Sequence, residues 1–164
     1  MPDRHAPNSW EQYQEIHAKK IAGYSPHFIV NDDLVPQLTP DAVIWRGVLY
    51  CVNAIEIHVF KVQAFFTRPD GRPAVQTQLY EYHVMLRLPQ GERNLFRYDN
   101  AHAHVGHADP HHRHGYDDDG TAQVEHLSER GWAVGDWPTL GDVIDEVHEW
   151  WRSASTAPPP TERQ

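Results

Sequence analysis

Four runs of β-branched and aromatic residues, separated by turn sequences, occupy positions 42–99 and constrain the fold most strongly. The runs read AVIWRGVLYCV, AIEIHVFKVQAFF, VQTQLYEYHVMLRL and RNLFRYD. Such residues favour strands, whereas the Asn53, Pro69–Gly71 and Pro89–Gly91 sequences between the runs favour turns. Because the connections are short, neighbouring strands should run antiparallel. The segment therefore predicts an antiparallel meander of about four strands.

Helical patterns flank this meander on both sides. Ser9 followed by Gln12 has the form of a capping box, and Thr139 followed by Asp142 has the features of a second helix start. We predict an α+β fold in which an N-terminal and a C-terminal helix pack the meander. Residues 1–152 should form a single domain and 153–164 a disordered Pro-rich tail. Residues 23–41 and 100–121 are predicted to be an irregular connection and a long loop.

Composition narrows the class of protein. The chain of 164 residues has a formal charge of −9, so bulk attraction would not hold it to nucleic acid. Its one cysteine, Cys51, forms no internal disulfide and is predicted to be a buried, inert thiol. An apolar leader and a long apolar stretch are not found in the sequence. These features predict a cytoplasmic protein without a membrane partner.

A histidine-rich segment carries the main functional signal. Six of the thirteen histidines lie between positions 102 and 114, close to Arg97, Asp99 and Asn100. Histidine changes charge near neutral pH and is the commonest protein metal ligand. The segment therefore suggests either proton transfer or a metal site, and a solvated loop without chemistry is the third alternative. The absence of a paired-cysteine motif argues against a structural zinc site.

Proton transfer would suit cleavage of an RNA phosphodiester, in which one group removes a proton and another supplies one. An arginine would bind the phosphate oxygens through its forked donors. The hairpin at residues 89–92 leaves the role of His83 open. With Gln90-Gly91 as a two-residue loop, His83 pairs with Tyr98 and lies on the face opposite Arg97. A shift by one residue pairs His83 with Asp99 or Arg97 instead.

The ordered motifs YEYHVMLRL, LFRYDNAHAH and PHHRHG, followed by PTLGDVIDEV, resemble the TumE family of toxin–antitoxin toxins. The resemblance is strongest over residues 80–114. His102 and Ala103 depart from the family pattern, which has Pro and His there, and Tyr98 and Arg113 replace Trp and Lys. The matching residues are Tyr80, Tyr82, His83, Arg97, Asp99, Asn100, Ala101, His104, Pro110, His111, His112 and His114.

The resemblance implies a cytoplasmic toxin whose partner is a DNA-binding antitoxin. Our leading hypothesis is a metal-independent ribonuclease toxin that takes RNA as substrate and needs no cofactor. A metal-dependent hydrolase with zinc or nickel at the same histidines, and a non-catalytic protein-binding module, are the alternatives. The candidate catalytic residues are His83, Arg97, Asp99, His111, His112 and His114, and the candidate substrate-binding residues are Asn100, His104 and Arg113.

Overall fold

A computed structural model describes residues 5–101, 110–133 and 135–156. Within these ranges the chain forms two α-helices and one antiparallel sheet, which confirms the α+β class. The predicted number of about four strands is wrong, because the sheet has eight. The helices are α1 (Trp10–Tyr24) and α2 (Leu140–Thr156), and the strands are β1 (Ile29–Asp32), β2 (Val35–Leu38), β3 (Ala42–Cys51), β4 (Ile55–Thr67), β5 (Pro73–Leu88), β6 (Gly91–Asp99), β7 (His112–Tyr116) and β8 (Ala122–His126).

Strands β3 to β8 follow one another across the sheet in chain order, as a meander requires. The four predicted runs correspond to β3, β4, β5 and β6. The two additional strands β7 and β8 come from the predicted loop and the stretch after it. The β7 backbone pairs with β6 and the β8 backbone pairs with β7, so pairing rather than residue propensity places them in the sheet.

Two short strands share the other edge of the sheet, where the sequence predicted an irregular connection. Strands β1 and β2 both pair with β3, on either side of the Asp33–Leu34 link. Gly47 of β3 allows this link to approach closely. It has a φ of +144°, and a Cβ atom there would lie 2.1 Å from the carbonyl oxygen of Asp33. Only glycine fits such a position without displacement of the backbone.

The main core lies between the sheet and α2. Tyr82, Phe96 and Tyr98 project from the central strands towards Val143 and Val147 of the helix, and all five are buried. The opposite face of the same strands therefore carries the alternating polar residues. Because α2 covers one face only, these polar residues are placed where a site can form.

Both predicted helix caps are confirmed. Ser9 and Gln12 form a reciprocal capping box, and the Thr139 side chain accepts from the Asp142 backbone while the Asp142 carboxylate accepts from the Thr139 backbone. Helix α2 extends to Thr156, four residues past the predicted domain boundary at 152. The remainder of the predicted tail lies outside the described residues. Within the described ranges, neither helix has the length and apolarity needed to cross a bilayer.

Cys51 is buried, as predicted. Burial raises the pKa of its thiol to about 12, so it stays protonated and unreactive at neutral pH.

Candidate functional site

The β5–β6 hairpin determines which side chains share the polar face. Leu88 pairs with Gly91, so the loop residues are Pro89 and Gln90, and a bulge then shifts the register by one residue. Beyond the bulge His83 pairs with Arg97. Directly paired residues project from the same face of a sheet. The alternative in which His83 and Arg97 share a face is therefore the one observed.

This pairing continues across neighbouring strands and produces one polar row. His58 of β4 pairs with His83, and His114 of β7 pairs with Arg97. The order across the sheet is thus His58, His83, Arg97 and His114. Adjacent strands lie about 4.8 Å apart, so these four side chains fall within about 15 Å of one another. We call them the polar row.

A buried ionic network supports the Arg97 end of this row. The Arg97 Nε donates to Asp99 Oδ2 at 2.9 Å, and its Nη2 donates to His114 Nε2 at 3.1 Å. On the other side of Asp99, the His112 Nε2 lies 2.8 Å from Oδ1. The side chains of Asp99 and His112 are completely buried. Arg97 is consequently held from two directions.

The hydrogen-bond partners of His112 determine its charge. Its Nδ1 lies 2.8 Å from the Pro110 carbonyl and its Nε2 faces the Asp99 carboxylate, and both partners only accept. Burial lowers the pKa of His112, but these hydrogen bonds outweigh burial and raise its pKa above the ordinary value. Burial likewise raises the pKa of Asp99, but His112 and Arg97 lower its pKa to about 2. The network therefore contains an imidazolium and a carboxylate.

His83 has the opposite tendency. Burial lowers the pKa of His83 and the charge of Arg97 lowers it further, and together they outweigh a hydrogen bond with Asn94 that raises it. The His83 Nε2 is buried and has no hydrogen-bond partner among the described residues. A neutral imidazole with an unoccupied nitrogen beside a guanidinium has the properties of a proton acceptor.

Sequence inspection missed a second carboxylate–histidine pair on this face. His58 donates to Glu56 at 2.7 Å, and Arg87 contacts the same carboxylate at 3.0 and 3.2 Å. The His58 ring centroid lies 6.5 Å from that of His83. The alternation in EIHV offered a signal, because Glu56 and His58 fall on one face, but the pairing of β4 with β5 was needed to connect them with His83.

Strand alternation separates the predicted histidine triplet. His112 and His114 belong to the polar face, whereas His111 stacks on Trp137 at 4.7 Å and contacts the Tyr80 hydroxyl at 2.9 Å on the helix side. Arg113 also lies on the helix side. It donates to Glu146 of α2 at 3.0 Å and covers the Phe96 ring.

The remaining predicted residues lie near the start of the histidine-rich segment. The Asn100 side chain accepts from the Tyr80 backbone at 2.9 Å and donates to the Gln78 carbonyl at 3.0 Å, so it ties the end of β6 to β5. His104, predicted to bind substrate, lies outside the described residues. The structure thus brings together His83, Arg97, Asp99, His112 and His114, and it places His111, Arg113 and Asn100 in other contacts.

The arrangement also resembles a metal-ligand set. One ligand atom from each of Asp99, His112 and His114 lies within 4.8 Å of the others. However, the Arg97 guanidinium contacts both Asp99 and His114, and His112 donates through both nitrogens. A metal ion would have to displace Arg97 and remove a proton from His112 before it could bind there.

Comparison with known proteins gives one finding. The family model described as toxin TumE matches residues 18–152, a range that includes the whole sheet, the second half of α1 and most of α2. No curated protein and no solved structure matches the chain.

Proposed function

The chain belongs to the TumE toxin family, and we propose that it is the toxin of a toxin–antitoxin pair and acts by cleaving RNA. The polar row is the observation that carries this proposal. It combines a proton acceptor, a cation suited to phosphate and a second histidine on one face of the sheet. Such groups are sufficient for cleavage of RNA through its own 2′-hydroxyl.

Arg97 is the proposed phosphate contact. Its Nε and Nη2 are occupied by Asp99 and His114, whereas its Nη1 makes no hydrogen bond to any described residue. A guanidinium held in this way can direct its remaining donors at phosphate without loss of side-chain entropy on binding. Asp99 and His114, with His112 behind Asp99, are positioning residues.

His83 and His58 are the proposed base and acid. His83 takes the proton of the 2′-hydroxyl, whose oxygen then forms a bond to phosphorus. The bond from phosphorus to the 5′-oxygen breaks, and that oxygen takes a proton from His58. The products are a 2′,3′-cyclic phosphate and a 5′-hydroxyl end. His112 is not suited to exchange protons with substrate, because both of its nitrogens already donate to protein acceptors.

The charge distribution favours attraction of RNA to the Arg97 network rather than to the protein surface as a whole. Arg97 and His112 carry two positive charges against the one negative charge of Asp99, so this network is locally positive in a chain of net charge −9. We therefore propose a shallow salt dependence of RNA binding, with few phosphate contacts. A DNA-binding antitoxin that offers basic residues would be attracted to the acidic remainder of the surface.

The test is cleavage of end-labelled RNA by the purified protein in the presence of chelator. We expect cyclic-phosphate products, and we expect His83→Gln and His58→Gln each to reduce the rate by about 10²- to 10⁴-fold. The matched control is His27→Gln, because His27 is an exposed histidine outside the sheet. Intact RNA, or unchanged cleavage by the His58→Gln, His83→Gln double variant, contradicts the proposal.

A metal-dependent hydrolase is the second candidate, favoured by the closeness of Asp99, His112 and His114. Zinc binding there would release a proton from His112 and free Arg97. Loss of cleavage on chelation, its recovery with zinc or nickel, and proton release on metal addition would together select this candidate.

A further inference from the structure

A second polar feature lies on the helix side of the sheet, away from the polar row. Lys61 of β4 is 3% exposed and makes no hydrogen bond or ion pair with any described residue. Its ammonium lies 4.5 Å from the Tyr13 ring centroid and 5.8 Å from that of Trp45. Buried lysines are normally paired, so this one needs a separate explanation.

Lys61 lines a cavity of about 80 Å³. Gln63 and Tyr82, each 2% exposed, line it as well. The Gln63 Oε1 accepts from the Trp45 indole at 2.9 Å, which leaves its amide nitrogen as the free donor. Neither that nitrogen nor the Tyr82 hydroxyl has a hydrogen bond to another described residue.

The three buried groups around the cavity are thus all potential donors. Two carboxylates lie in this region: Asp136 is engaged by His5 at 2.7 Å, and Asp142 accepts from the backbone of Thr139, which lines the cavity, at 2.7 Å. Residues His5, Ala6 and Asn8 line the side of the cavity formed by the start of the described chain. The cavity therefore offers several donors and a single cation to a compact acceptor.

We propose that this cavity binds a small monocarboxylate, whose single negative charge pairs with Lys61. A monoanion fits because the cavity offers one uncompensated cation, and a dianion would leave a buried charge unpaired. The volume admits a group of a few heavy atoms and excludes a nucleotide. The proposal does not depend on RNA cleavage, since these residues lie on the opposite face from the polar row.

Burial lowers the pKa of Lys61 to about 7, so the charge that would hold the ligand is present below neutral pH and lost above it. Acetate should therefore bind at least tenfold more tightly at pH 6 than at pH 8.5. Bound acetate should in turn raise the pKa of Lys61 by one unit or more, because the two equilibria are linked.

The experiment is an acetate titration of the full chain at constant ionic strength, with chloride as the balancing ion. The readout is the Trp45 indole resonance in ¹H–¹⁵N spectra, because that N–H donates to Gln63 beside the cavity. We expect a saturable shift at pH 6 that is lost in Lys61→Met and retained in Lys19→Met, whose lysine is exposed.

Gln63→Glu provides a second variant that does not depend on the folding of Lys61→Met. The new carboxylate can still accept from Trp45 and would pair with Lys61, so acetate should no longer bind. A Trp45 resonance that does not respond to acetate in the native chain, or a response unchanged in both cavity variants, overturns the proposal.

Discussion

Replacement of Asp99 by Asn isolates the contribution of the buried network beneath Arg97. The change preserves side-chain shape and removes the one negative charge that lies between Arg97 and His112. The pKa of Asp99 is about 2 in the native chain and ordinarily 3.8, which corresponds to about 2 kcal/mol of stability at neutral pH. Arg97 and His112 then lose the carboxylate that they share, so we expect a total loss of about 3 kcal/mol.

The loss should depend on pH in a bell-shaped manner. The lowered pKa of Asp99 means that its stabilisation is present above about pH 4 and disappears as the pH falls through about 2. The raised pKa of His112 means that its stabilisation is present below about pH 6.5 and disappears as the pH rises through the native pKa. The difference between native and Asp99→Asn proteins should therefore be greatest between about pH 4 and 6.5.

Urea unfolding monitored by tryptophan fluorescence at about pH 3, 5.5 and 8.5 measures this difference. Asp118→Asn is the matched control, because the Asp118 side chain is 97% exposed and its ion pair with Arg93 is a surface pair. The control should change the free energy of unfolding by less than about 1 kcal/mol at every pH. A difference for Asp99→Asn that is flat with pH, or as small as that of the control, refutes the proposed charge state of the network.

Three further outcomes follow from residues outside this network. Lys61→Met should be more stable than the native chain by about 4 kcal/mol at pH 6. Calorimetry should show this advantage shrinking by about 1.4 kcal/mol per pH unit between pH 7 and 10.5, because in that range the lysine of the native sequence is protonated only in the unfolded chain. An advantage that is constant with pH contradicts the lowered pKa of Lys61. Gly47→Ala should cost more than about 3 kcal/mol in urea unfolding, because its Cβ would overlap the Asp33 carbonyl, and an unaffected variant would contradict that approach. Arg113→Leu should lower the melting temperature through loss of the Glu146 contact and leave kcat/KM for RNA unchanged, whereas a fall in kcat/KM alone would return Arg113 to the substrate-binding residues.

Strand alternation explains which parts of the site were predictable. The runs that form β3 to β6 are strong strand sequences, and the family motifs named His83, Arg97 and Asp99, which the structure places on one face of the sheet. The face taken by His83 depends on the bulge after Val84, which adds one residue to β6. A bulge has no reliable sequence signal here, so the register stayed open until the structure was known.

The histidine triplet shows a second limit of sequence reasoning. His111, His112 and His114 appeared to be equivalent because they are neighbours in a segment predicted to be a loop. In a strand, consecutive residues point to opposite faces; His112, the first residue of β7, faces Asp99, whereas His111 just before the strand stacks on Trp137. The sequence of β7 lacks the apolar residues typical of a strand. It is extended because it pairs with the edge of β6.

The chain-order arrangement of the sheet has a consequence for synthesis of the toxin. Each strand from β4 to β8 pairs with the strand made just before it, so the sheet can grow at one edge as the polypeptide emerges. The polar row spans β4 to β7, and its last member, His114, comes fifty-six residues after its first, His58. A nascent chain shorter than β7 therefore carries His83 and Arg97 without the support of His112 and His114. The polar row and its supporting network are therefore complete only after β7 has been synthesised.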